Sequence, residues 1–137
     1  MRVLVISDIH ANYTALQAVL KDAGQVDETW CLGDLVGYGP DPNAVVEEVR
    51  EIQNLTCMLG NHDVAVIGKM PFETFNGDAR RSLTHHEKVM TADNMDYLNS
   101  LSSNAKVCGD ATLAHGSPRD PLWEYILNSL SARLNFD

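Results

Sequence analysis

The chain has 137 residues, 45% hydrophobic and 21% charged, enough for a single domain (1–137) with a buried core and too apolar for a disordered segment. Its net charge of −9 argues against general nucleic-acid binding and against a membrane-surface role, since both need a basic face. No apolar run approaches the roughly 18 residues that span a bilayer, and the N-terminal apolar run is too short for a signal peptide. The three cysteines, Cys31, Cys57 and Cys108, share no CxxC spacing; free thiols and a cytoplasmic location are expected.

Arg2 to Ser7 is apolar and β-branched and reads as a buried parallel strand ending at Asp8-Ile9-His10. Leu16, Val19, Leu20 and Ala23 then recur at helical spacing, so a helix is expected over Tyr13 to Ala23, capped by Asn12 and stopped by Gly24. A second strand, Thr29 to Leu32, ends in Gly33-Asp34. The glycines and prolines of Leu35 to Asn43 require a loop. Pro42 suits the first position of a helix running to about Gln53, with Val45, Val46, Val49 and Ile52 on one face. The third strand, Leu55 to Leu59, turns sharply at Gly60-Asn61-His62-Asp63. Helices are expected over Asp78 to Lys88, over Ala92 to Leu101 behind a Thr91 cap, and over Leu122 to Leu127. Two short strands, Asn104 to Gly109 and Ala111 to His115, flank a Gly109-Asp110 turn. The last ten residues carry no clear signal.

Three strands thus end in polar residues of metal-ligand type, and ligands of open α/β sheets bind at that end. Asp8 and His10 stand two apart on an extended tip, so both can face one cation. The Asp34 carboxylate has two oxygens and can bridge two cations, and Asn61 and His115 can complete a second site. Two metals about 3.5–4 Å apart can hold a phosphate and activate water for in-line attack. In such a site His62 would protonate the leaving group, oriented by Asp63. Donors of this kind suit manganese best, with iron or zinc as alternatives and magnesium behind them.

Asp8-Ile9-His10, Gly33-Asp34, Gly60-Asn61-His62-Asp63 and His115-Gly116 stand in the order of the first four motifs of the calcineurin-like metallophosphoesterases, and over positions 8 to 116 the chain resembles that family. The likeness is greatest to its bacterial phosphodiesterase and diadenosine-tetraphosphatase-like branch. The resemblance implies an α/β/β/α sandwich. It implies two divalent cations held by Asp8, His10, Asp34, Asn61 and His115, with Asp34 as the bridge. It also implies catalytic roles for His62 and Asp63, and a small phosphorylated substrate, a nucleotide among the candidates.

One motif is absent. The family closes its site with a late Gly-His-x-His, and no histidine follows His115 here. The second sheet is therefore expected to be incomplete, the domain to lack its C-terminal part, and the last ligands to lie beyond Asp137 or on another chain. An open sheet edge would favour a homo-oligomer. A second reading follows from the same gap: a catalytically impaired scaffold or subunit. Of the remaining residues, His85 and His86 read as a solvated helix face. Tyr38 is either a turn residue or a cleft residue, and Arg119 is the nearest candidate cation for a phosphate. Trp123 and Tyr125 read as packing residues, with base-stacking as the alternative.

Overall fold

The computed structural model describes residues 1–136. The elements run β1 (Val3–Ile6), α1 (Tyr13–Ala23), β2 (Glu28–Cys31), α2 (Pro42–Arg50), β3 (Leu55–Cys57), α3 (Asn61–Val66), a 3₁₀ turn (Phe72–Thr74), α4 (Gly77–Val89), α5 (Ala92–Ser100), β4 (Lys106–Cys108), β5 (Ala111–Leu113) and α6 (Ser129–Phe136). The fold is mixed α/β. β1, β2 and β3 form a parallel sheet in that order, with Ile6 opposite Cys31 and Cys31 opposite Cys57. β4 and β5 form a separate antiparallel pair turning at Gly109, whose φ of +57° suits glycine.

The helices start where side chains can satisfy the free amides of their first turn. Asn12 accepts from the Ala15 amide at 3.0 Å, Asn76 from the Ala79 amide at 2.9 Å, and Thr91 from the Asn94 amide at 3.3 Å. Pro42 occupies the first turn of α2, where a missing N–H costs nothing. The apolar faces of α1, α2, α4 and α5 meet in one core built around Leu16, Val45, Val49, Leu83 and Leu98. Leu35 and Val36, directly after Asp34, are fully buried in it. The loop that carries Asp34 is therefore anchored by its own apolar residues.

The structure departs from the sequence reading at both helix-poor stretches. The sharp turn at Gly60 is the start of α3, with Gly60 outside the first turn and Asn61 as its first residue. Leu122 to Leu127 form no helix: residues 121–123 make one turn and 124–127 run irregularly. Asp120 accepts from the Trp123 amide at 3.1 Å and holds that turn, while Glu124 is drawn aside by the Ser117 hydroxyl (2.5 Å) and the Asn135 amide (3.0 Å). Leu127, with 84% of its surface exposed, has no core to bury against. The helix forms later, as α6, behind Asn128, which accepts from the Ser131 amide at 2.9 Å. The second sheet holds two strands among the described residues.

Candidate metal centre

The polar residues converge because the tips of β1, β2 and β3 hydrogen-bond to one another beyond the sheet. The Asp8 amide donates to the Gly33 carbonyl (3.0 Å), the His10 amide to the Asp34 carbonyl (2.9 Å) and the Ala11 amide to the Leu35 carbonyl (2.8 Å). The tips of β2 and β3 touch at Gly33 and Gly60. At Gly33, φ is +99°, and a side chain would strike the Leu59–Gly60 backbone. Asp8, His10, Ala11, Asp34 and Tyr38 all adopt φ between 49° and 60°. Residues other than glycine pay about 1–3 kcal/mol each for such conformations, which persist where the surroundings over-determine them and gather at functional sites.

Asp34 lies at the middle, 3% exposed. Its Oδ2 is 3.6 Å from His10 Nε2 and 3.5 Å from His115 Nε2, and its Oδ1 accepts from the His62 amide at 2.9 Å. Asp8 Oδ1 is 3.6 Å from His10 Nε2. His10 Nδ1 is 2.9 Å from the Val36 carbonyl and His115 Nδ1 is 2.9 Å from the Leu32 carbonyl. A carbonyl can only accept, so each Nδ1 carries the proton and each Nε2 turns a lone pair toward the centre, the arrangement a metal-binding imidazole needs. Two donor groups result, His10–Asp34–His62 and Asp8–Asp34–His115, each with donor atoms within 4.8 Å of one another. They share Asp34. This set fits a pair of divalent cations of nitrogen- and oxygen-accepting type. Asn61 is buried beside them at the start of α3.

The charges respond to this crowding. Burial, and then the negative charge of Asp63, pushes the Asp34 carboxyl up to about 8. The bond with His10 draws Asp8 down to about 2 against its partial burial. His10 is raised: burial opposes the imidazolium, but Asp8, the Val36 carbonyl and Asp34 outweigh it. His62 is lowered to about 4, by burial foremost and then by His10 and His115. Its Nδ1 is buried without a hydrogen-bond partner and packs against Gly37, where any side chain would collide with it.

Asp63 differs from its sequence-based role. Its carboxylate accepts from the amides of Asp34 (2.7 Å), Gly60 (3.0 Å) and Val36 (3.1 Å), and it makes no bond to the His62 ring. It is fully buried, and burial raises it to about 6 against the pull of those three amides. Asp63 thus fixes the backbone that presents Asp34. His86 also departs from expectation. It is 1% exposed, its Nδ1 accepts from the Gly37 amide at 3.1 Å, and its Nε2 donates to the Gly39 carbonyl at 2.8 Å. Ser82, one turn earlier on α4, accepts from the Tyr38 amide at 2.8 Å. The i, i+4 spacing of Ser82 and His86 was the available signal that this face of α4 clamps the 37–39 loop. His85 stays apart from the centre on the outer side of α4, beside Arg81 and Lys88. Arg119 pairs with Glu124 at 3.7 Å instead of offering a free cation.

The family model for calcineurin-like phosphoesterases matches residues 1–134, and the chain belongs to that family. A metallophosphoesterase from Sphaerobacter thermophilus superimposes with a TM-score of 0.86 at 50% identity, over 99% of this chain and 55% of its own. An uncharacterized protein of Methanocaldococcus jannaschii is 38% identical over 130 residues, 90% of this chain and 53% of its own length. A symmetrical bis(5'-nucleosyl)-tetraphosphatase of Erwinia tasmaniensis is 38% identical over 71 residues, 49% of this chain and 26% of that enzyme. The chain spans about half the length of the first two.

Two outcomes are expected from this site. Asp34 and His10 have folded pKa values above their unfolded ones, so each holds a proton in the folded state that the unfolded chain releases. That contribution is complete below the unfolded values and is lost as pH rises through the folded ones. The lowered His62 acts oppositely, but only below about 6.5. The metal-free chain should therefore lose thermal stability as pH rises from about 6.5, where the opposition of His62 ends, through about 8. Saturating manganese, which displaces the Asp34 proton, should remove that slope, and Asp34→Asn should flatten it without metal. Differential scanning fluorimetry reads all three. Separately, Asp63→Asn sets an amide NH₂ against buried backbone donors and should cost at least about 2 kcal/mol in urea unfolding; unchanged stability with reduced turnover would restore its role as the His62 orienter.

Proposed function

We propose that the chain carries the metal-binding half of a dinuclear metal-dependent phosphoesterase acting on a small phosphomonoester or phosphodiester. The observation that carries this reading is the placement of Asp34 Oδ2 between His10 Nε2 and His115 Nε2, at 3.6 and 3.5 Å, at the meeting of two donor groups. Asp8, His10, Asp34, Asn61 and His115 would hold two divalent cations, manganese first and iron or zinc next, with His62 close enough to join the set. When bound, such cations supply charge for the phosphoryl oxygens and lower the pKa of the attacking water.

The chain's own residues do the rest. Asp34 gives up its proton as the site fills, and the three amides on Asp63 keep the tip rigid while it does so. The carbonyls of Val36 and Leu32 hold His10 and His115 in the binding tautomer. His62 is neutral at pH 7 in the metal-free chain. To protonate the leaving oxygen it must take up its proton as the anionic substrate arrives. The relatives named bis(5'-nucleosyl)-tetraphosphatases support a nucleotide-type substrate for this chain as well. Three free cysteines accord with a reducing compartment, and no helix among the described residues is long and apolar enough to cross a membrane.

Manganese-dependent hydrolysis of bis-p-nitrophenyl phosphate tests the reading. Asp34→Ala should abolish turnover and metal retention together. His62→Ala should lower turnover by about 10²–10⁴-fold while most of the metal stays bound. Wild-type turnover in Asp34→Ala would sink the dinuclear reading. Two bound manganese ions without turnover would favour the scaffold or subunit reading.

A further inference from the structure

The metal chemistry leaves Tyr38 unused, although the fold holds it with care. Its backbone sits at φ +60°, a conformation that a packing tyrosine would not need. The amide donates to Ser82 Oγ at 2.8 Å, and the phenol oxygen accepts from Asn76 Nδ2 at 3.1 Å. The ring meets His10 edge-on at 4.9 Å and lies 5.0 Å from His62. Held at backbone, edge and hydroxyl, Tyr38 still leaves 48% of its surface exposed.

A row of rings continues from it. His62 meets Phe75 at 4.8 Å, and Phe75 meets Trp123 at 5.4 Å. Phe75 is buried, whereas Trp123 is 39% exposed, so the row ends in an open indole two ring contacts from His62. Tyr125, also exposed, reaches the Asn61 side chain, and burial together with the charges of Asp34 and Asp8 raises its phenol. The mouth of the centre is therefore aromatic. It is also poor in cations, because Arg119 is paired with Glu124 and the chain carries −9. Affinity beyond the phosphoryl group must come from ring faces.

We propose that Tyr38 and Trp123 form a subsite that stacks a nucleobase carried on the phosphate ester and so determine specificity. The proposal rests on the reading that the phosphoryl group binds at Asp34. Tyr38 would border the base nearest the centre, and Trp123 would offer the outer face. Stacking of one base on an aromatic side chain corresponds to about tenfold or more in affinity.

The test compares AMP with ribose 5-phosphate, which has the same sugar phosphate and no base. Both are titrated against the manganese-loaded chain, calorimetrically and by tryptophan emission. AMP should bind at least about tenfold more tightly. Tyr38→Leu and Trp123→Leu should each reduce that advantage about threefold or more and leave the ribose 5-phosphate constant unchanged. AMP should quench tryptophan emission in the wild type, and Trp123→Leu should abolish the quenching. Equal binding of the two ligands, or a preference that survives in both variants, overturns the subsite while leaving the phosphoesterase reading intact. Failure of either ligand to bind the loaded wild type overturns the phosphate site and this inference with it.

Discussion

A single buried carboxylate, Asp34, ties the structure together. Its amide, its carbonyl and both of its side-chain oxygens face other strand tips: Asp63, His10, His62 and His115. An ionised carboxylate removed from water is costly unless opposite charges and donors surround it. Here burial, and then the negative charge of Asp63, outweigh the His62 amide and His10, so in the metal-free chain Asp34 keeps a proton well into the neutral range. A cation at each flank would supply the missing charge. The neighbouring positive-φ residues Asp8, His10 and Ala11 show the same economy: backbone strain is tolerated because the hydrogen bonds between tips fix those residues from both sides.

Much of this was legible in the sequence, because the first three strands and their helices follow simple rules. The apolar runs gave β1 to β3, and Asn12, Pro42 and Thr91 marked helix starts that the structure keeps. Asp8, His10, Asp34, Asn61, His62 and His115 were picked out from motif and strand position, and the structure brings the His and Asp members into two linked groups. What the sequence hid were interactions whose partners lie far apart in the chain. Asp63 looks like a partner for the adjacent His62, yet its three acceptor bonds go to amides at Asp34, Val36 and Gly60. His86 looks like a surface histidine in a helix and is instead a clamp on a loop 47 and 49 residues earlier. The helix expected over Leu122 to Leu127 failed because only its start packs on the core, at Leu122, while Tyr125, Ile126 and Leu127 are exposed.

The membership of the calcineurin-like phosphoesterases and the length of the relatives bear on one another. The family model matches residues 1–134, and the relatives that match along most of this chain are nearly twice as long. Asp8, His10 and Asp34 reach the centre from the tips of the parallel sheet, and His115 reaches it from beyond β5. The exposed apolar surface gathers instead at the C-terminal end, on Leu127, Leu130, Leu134 and Phe136. No residue of α6 is buried.

The central claim is that Asp34 joins two cation sites into one centre. Manganese titration followed by equilibrium dialysis and electron paramagnetic resonance tests it most directly. The account predicts two manganese ions per chain with a magnetically coupled signal, both lost in Asp34→Ala. One ion per chain, or two that give the signal of isolated ions, would contradict it.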